Sequence, residues 1–302
     1  MATATPAIMP MEATIYSLSP ILLSCKSADE YLLEQNVFYD AIGCENCQEQ
    51  MKRDIKGWRF RCTSRTCRTD KSLYSHTFFF GTKLKSNEIL LLARLWLSKV
   101  HVNAAIELTG HSSATVVKFW SYFRELVSST LLAEDDVIGG EAIIVEVDET
   151  KLGKRKYNRG HRVEGVWVVV GVERTKARKM FVVPVETRDS GALRAIIEKH
   201  VRPGSIIHTD LWRGYSWLKD SAKFHHMTVN HSIGFKDAET GVHTNYVEGT
   251  NNGIKQRIPV RSRVKNGIET HLAEFVWRRK HESKNIWDAF ITAVRELHYD
   301  IK

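Results

Sequence analysis

The feature that most limits what this chain can become is an ordered series of short apolar runs that begins at residue 142. Ala142–Thr150 reads AIIVEVDET, a β-branched and apolar stretch with acids where it meets a loop. Gly165–Val172 (GVWVVVGV) and Lys179–Val185 (KMFVVPV) read as two further strands with a charged turn between them. Ser190–His200 then has the spacing of an amphipathic helix, with Ala192, Ala195, Ile196 and Ile197 facing inward and Asp189 as its N-cap. A fourth strand is expected over 205–209, a short helix over 215–219 and a fifth strand in MTVNHS. Helices over 244–256, 266–281 and 285–299 close the chain.

Acids end the first and fourth of these strands, and that placement points to an α/β, RNase H-like sheet. Asp148 ends the first, and GSIIHTD carries Asp210 to the end of the fourth. If those strands are neighbours, the two carboxylates meet. Glu248, in HTNYVEGTNNGIKQR, would join them from a helix packed on the sheet. Mg²⁺ takes hard oxygen ligands and keeps several waters, so two or three carboxylates from distant segments suffice to hold it. Lys255, two helical turns beyond Glu248, lies on the same helix face and is placed to hold a phosphate backbone. Asn245, one turn before Glu248, is an alternative oxygen ligand. Glu146 shares the strand face of Asp148, whereas Glu149 points the other way. His243 either contacts the scissile phosphate or caps the helix.

Upstream, Cys44 and Cys47 form a C-x-x-C, and Cys62 and Cys67 a C-x4-C about fifteen residues later, with WRFRC alternating between them like a strand. Two cysteine pairs on successive turns suit a tetrahedral thiolate zinc site, and zinc replaces the core that so small a module lacks. Cys25 is the odd thiol, and His76 a substitute ligand should Cys67 lie too far away. The segment SNEILLLARLWLSKV reads as a helix capped by Ser86. A helix over 103–109, a turn at Gly110 and a second helix opening at Ser112 or Ser113 follow, which is the pattern of a helix-turn-helix. Lys118 and Arg124 on its second helix are available to DNA. Residues 1–27 read as a loosely packed leader before a helix from Ser27 to Phe38, with Ser27 and Glu30 as a capping box. The expected domains are a leader and short helix (1–40), a zinc ribbon (41–82), a helix-turn-helix (83–135) and an RNase H-like catalytic domain (140–302).

The 302 residues carry a formal net charge of +9, and the bases crowd into 51–85, 151–179 and 255–284 while residues 1–50 are acidic. Uneven basic charge suits a polyanionic partner, because each cation that meets a phosphate releases a counterion. Lys154, Arg155, Lys156 and Arg159 in KLGKRKYNRGHR, together with Lys255 and Arg257, are the candidate backbone contacts. No apolar run reaches the roughly 18 residues of a membrane span, and no secretory signal is expected.

On these motifs the chain resembles the transposases of the Merlin group of DNA transposons and their bacterial insertion-sequence relatives. The likeness runs over about 40–300, through the four-cysteine ribbon with FFFGTKL, IELTGHS, VEVDET, HTDLWRGY, HTNYVEGTNNGIK and HLAEFVWRRKH. The resemblance implies a DDE-type catalytic domain using Mg²⁺ or Mn²⁺, with Asp148, Asp210 and Glu248 as ligands; some relatives carry Asn in third place. It also implies that ribbon and helix-turn-helix bind double-stranded DNA at terminal inverted repeats. The ends would be cut by hydrolysis and their 3′-OH groups joined to target DNA by transesterification, in at least a homodimer. A structure-selective nuclease and a domesticated DNA-binding regulator are the competing expectations. The nucleus of a eukaryotic host, or otherwise the cytoplasm with the nucleoid, is the expected location. GTNNG departs from relatives, which tend to carry bulkier aromatics after the acid.

Overall fold

The computed structural model describes residues 13–131, 137–153, 165–230, 237, 240–282 and 285–297. They form two compact units, one of residues up to Thr130 and from His281 on, the other of Leu131–Lys280.

The first unit opens with two helices where a loose leader was expected. Helix α1 (Ile15–Leu23) is capped by Thr14, and α2 (Cys25–Glu34) by Ser24, whose hydroxyl accepts from the Ser27 amide at 3.2 Å. Ser27 therefore lies inside the helix rather than at its cap, and Glu30 pairs with Lys26 at 3.8 Å instead of closing a box. Strands β1 (Ala41–Gly43), β2 (Gln50–Asp54), β3 (Arg59–Cys62) and β4 (Asp70–Ser72) follow as an antiparallel meander. Next come α3 (Ser86–Leu97), α4 (Val102–Thr109) and α5 (Ser113–Ser129). Ser86 is buried as the first residue of α3, and Lys85 takes the cap position with Glu88 Oε2 accepting its amide at 2.8 Å. Gly110 ends α4 at φ 71°, a left-handed turn that glycine enters without strain, and Ser112 caps α5.

The second unit is built on one mixed sheet. Its elements are β5 (Ile138–Gly139), β6 (Ile144–Leu152), β7 (Val166–Glu173), β8 (Met180–Val185), α6 (Ser190–His200), β9 (Val201–Arg202), β10 (Ile206–Asp210) and β11 (His225–Val229). Helices α7 (Asn245–Arg257) and α8 (Ile268–Lys280) come after, and a 3₁₀ turn spans Arg213–Asp220. The sheet order is β11-β10-β6-β7-β8, with β6, β7 and β8 antiparallel and β10 parallel to both β6 and β11. Side-chain alternation gives the sheet two buried faces. Val145, Val147, Val169 and Ile207 pack with Leu193, Ile196 and Ile197 of α6 on one. Val168, Val170 and Val172 pack with Val247 and Ile254 of α7 and Leu272 of α8 on the other. On α6 it is Leu193, with the two isoleucines, that faces in; Ala195 is exposed. Gly171 stands against the Phe181 ring on the neighbouring strand, where any Cβ would collide with it.

The last helix, α9 (Ile286–Glu296), belongs to the first unit although its place in the chain follows the sheet. Phe290 meets Phe123 edge-on at 5.4 Å, and Trp287 Nε1 donates to the Tyr31 hydroxyl at 2.9 Å.

Candidate metal centres and nucleic-acid surfaces

The four cysteines of the ribbon converge. All four Sγ atoms lie within 4.8 Å of one another, with Cys44 and Cys67 3.7 Å apart and Cys47 and Cys62 3.4 Å apart. Bonds of about 2.3 Å to a tetrahedral zinc set sulfurs roughly 3.8 Å apart, so the cluster has the size zinc needs. Backbone geometry explains the convergence. Gln48 and Arg68, each one residue past the second cysteine of its pair, take left-handed φ values of 62° and 50°, turning both loops inward. Bonds with Thr69 hold the Cys67 thiol down at about 6, readying it as a thiolate ligand. Cys67 thus joins the set, and His76 is not needed as a fourth ligand.

Asp148 and Asp210 lie on neighbouring strands, and Glu248 on α7 is near enough for its charge to act on Asp148. Register pairs Ile206 with Ile144 and His208 with Glu146; two residues further along each strand stand Asp210 and Asp148. Both therefore face the α7 side, the side of Val170 and Val172, which pair with Asp148 and Glu146. Burial pushes the Asp148 carboxyl up to about 6, with the negative fields of Asp210 and Glu248 adding to the shift. Asn251 Nδ2 donates to Asp148 Oδ2 at 2.8 Å. Asp210 Oδ1 accepts from the Trp212 amide at 2.9 Å, and Glu248 Oε1 accepts from Thr244 Oγ1 at 2.8 Å. Asn245, at the first position of α7, is exposed. Lys255 is half-buried two turns beyond Glu248. Among the described residues only the four cysteines have ligand atoms all within 4.8 Å of one another; Asp148, Asp210 and Glu248 offer oxygen donors of the kind a hard divalent cation takes.

Glu146 has a separate task. Its carboxylate is fully buried, and Oε2 accepts from the Tyr246 and Val247 amides at 2.8 and 3.1 Å, at the start of α7. Arg174 Nε and His243 Nδ1 each lie 3.4 Å from Oε1, and Arg174 Nη2 is 2.6 Å from His243 Nε2. His243 is thus a partner of this buried carboxylate. Glu146 ties the helix that carries Glu248 to the strand that carries Asp148. Glu149 points to the opposite face, as alternation demands. Burial and the charges of Asp148 and Asp210 push it up to about 7, beside the buried Tyr215. Sequence reasoning passed over Asn251; its signal was its place one turn after Glu248, on the helix face toward the sheet.

Among the residues read as DNA contacts, Lys118 is exposed on α5 with Nζ 5.5 Å from the centre of the Tyr122 ring, and the two line a groove with Phe80 and Lys83. Arg124 is half-buried and Arg257 exposed. Lys154, Arg155, Lys156 and Arg159 lie outside the described residues.

Residues 138–280, the span of the mixed sheet and its helices, match the ISXO2-like transposase domain. A Haemophilus influenzae protein described as an uncharacterized transposase-like protein is 33% identical over 104 residues, covering 33% of this chain and 80% of that one. Among solved structures, a Drosophila P element transposase strand transfer complex is similar at 13% identity and TM-score 0.28, over 73% of this chain and 62% of that chain. A Mos1 transposase paired-end complex with left transposon end is similar at 14% identity and TM-score 0.24, over 72% and 82%. TM-scores so low do not define a common fold.

Proposed function

This chain belongs to the ISXO2-like transposase family, and we propose that it moves DNA with an RNase H-like, DDE-type catalytic domain, as the Merlin group does. One observation carries the reading: Asp148 and Asp210 occupy matched positions on one face of the paired strands β6 and β10, with Glu248 close enough to raise Asp148 further. The strand order, a three-stranded antiparallel meander flanked by two parallel strands, supports the fold assignment.

In this reading Asp148, Asp210 and Glu248 hold Mg²⁺ or Mn²⁺. The ions, when bound, would activate the attacking oxygen and neutralise charge on the leaving one. Glu248 is preferred to Asn245 as third ligand, because it shares a helix edge with Asn251 and Lys255 while Asn245 points to solvent. The chain's own part is to hold these oxygens in place and, through Lys255 and Arg257, to grip the DNA backbone. The four-cysteine ribbon with structural Zn²⁺, and α4–α5 as a helix-turn-helix, bind the terminal inverted repeats through Lys118, Arg124 and the groove beside them. Lys154, Arg155, Lys156 and Arg159 add further backbone contacts. Cut 3′-OH ends then attack target DNA. Two ends must be joined, so the working form is a homodimer or larger, acting in the nucleoid or a eukaryotic nucleus. Among the described residues no helix is long and apolar enough to cross a membrane.

The test is incubation of the zinc-loaded protein with Mg²⁺ and a donor DNA carrying candidate ends, scored for cut and for joined products. Asp148→Ala and Asp210→Ala should keep repeat binding and abolish cutting by more than about a thousandfold. Cutting without joining would make the protein a nuclease, and cutting by the Ala variants would refute the site.

A further inference from the structure

Asn251 is 4% exposed and lies on α7, one helical turn beyond Glu248. Its Nδ2 donates to Asp148 Oδ2 at 2.8 Å. An ionised carboxylate only accepts hydrogen bonds, so the NH₂ end of the amide must face Asp148 and the carbonyl end is fixed by difference. That carbonyl oxygen, Oδ1, is buried and has no hydrogen-bond partner among the described residues. Covalent geometry sets Oδ1 about 2.2 Å from Nδ2, which keeps it within roughly 5 Å of Asp148 Oδ2. Buried polar atoms are nearly always satisfied, so an orphan this near Asp148 calls for an occupant. A second carboxylate oxygen cannot be that occupant, because it too only accepts. A cation, or a water held by one, can be, and amide carbonyls are ordinary ligands for hard divalent ions.

We propose that Asn251 is a fourth member of the carboxylate site, orienting Asp148 through Nδ2 and presenting Oδ1 to the divalent ion or to a water in its shell. The proposal rests on the reading of Asp148, Asp210 and Glu248 as ion ligands. One side chain thereby serves two partners at once, as a donor to a ligand and as an acceptor or ligand toward the ion. The amide does both without adding a negative charge to a cluster whose carboxylates already repel one another.

The experiment is Mn²⁺ titration of the zinc-loaded full-length protein by calorimetry, paired with thermal unfolding of the metal-free carboxylate site. The variants are Asn251→Leu, which fills the volume, Asn251→Ala, which empties it, and Asp148→Ala. Both Asn251 variants should bind Mn²⁺ about 10–100-fold more weakly, as loss of a residue that orients a ligand commonly does. Asn251→Leu should unfold at or near the wild-type temperature without Mn²⁺, because it exchanges an unpartnered oxygen for apolar packing, and should gain less from added Mn²⁺. Wild-type affinity in either variant overturns the proposal. So does failure of both to fold, which would make the amide purely structural. If Asp148→Ala also binds Mn²⁺ like wild type, the carboxylate reading itself fails, independently of Asn251.

Discussion

Asp148 combines a strand position that burial would reserve for an apolar residue with a charge that two other acids oppose. Its carboxyl stands at about 6 against an ordinary 3.8, so the folded protein favours the protonated form. The stability this group contributes is therefore fully present below about pH 4 and is lost as pH rises through 6. For protein free of divalent ions the loss is worth about 3 kcal/mol. Between pH 4.5 and 7.5 wild type should lose about 2 kcal/mol more stability in urea unfolding than Asp148→Asn, the remainder belonging to Glu149 and Glu146, and Mn²⁺ should restore stability at pH 7.5 only when Asp148 is present. Burial raises the Glu146 carboxyl as well, but its oxygens anchor a helix by accepting from two amides of α7. Glu146→Ala strands the Tyr246 and Val247 amides and leaves Arg174 and His243 facing an empty site. We expect a loss of about 3 kcal/mol in urea unfolding, with Glu146→Gln, which keeps an acceptor, losing less than half of that.

Caps and close approaches decide the individual elements. Ser112 accepts from the Thr115 amide at 3.2 Å at the start of α5, and its replacement by alanine should lower stability by about 1 kcal/mol and weaken repeat binding. Gly171→Ala would drive a methyl into the Phe181 ring between β7 and β8, and should lower the thermal midpoint of the sheet-bearing unit by several degrees. The Gly110 turn, the Ser112 cap and the Asp189 cap were legible in the sequence, because each is a local signal read within four residues. The start of α3 was not. Ser86 looks like a cap, but burial against the first helices draws it into the helix and leaves Lys85 at the boundary. Ser27 loses its role for a similar reason, since Ser24 stands three residues earlier and breaks α1 from α2.

At the scale of the molecule, the two units have separate cores, and only the first contains a cysteine cluster. Removing zinc with a strong chelator should abolish protection of β1–β4 in hydrogen exchange while the amides of β6, β7 and β10 stay protected. It should also abolish repeat binding before it touches Mn²⁺ affinity. Loss of protection in both units together would contradict that independence. The helix α9 shows why chain order misleads here: its Trp287, Phe290, Ile291 and Val294 are buried in the first unit, although the chain reaches them only after the second is complete.

The sequence by itself located the apolar strand runs of the sheet and the cysteine quartet, because period, spacing and residue chemistry are written locally along the chain; it ended the first strand at Asp148, whereas pairing with β7 carries β6 on to Leu152 and leaves Asp148 at its middle. Tertiary structure alone decided that β6 and β10 are neighbours in a register that sets Asp148 beside Asp210. It also decided that Glu146 docks α7, that Asn251 reaches Asp148 and that α9 returns to the first unit. Those facts depend on contacts between residues up to hundreds of positions apart. Such contacts are chosen by the burial of whole faces, and no local pattern records that choice.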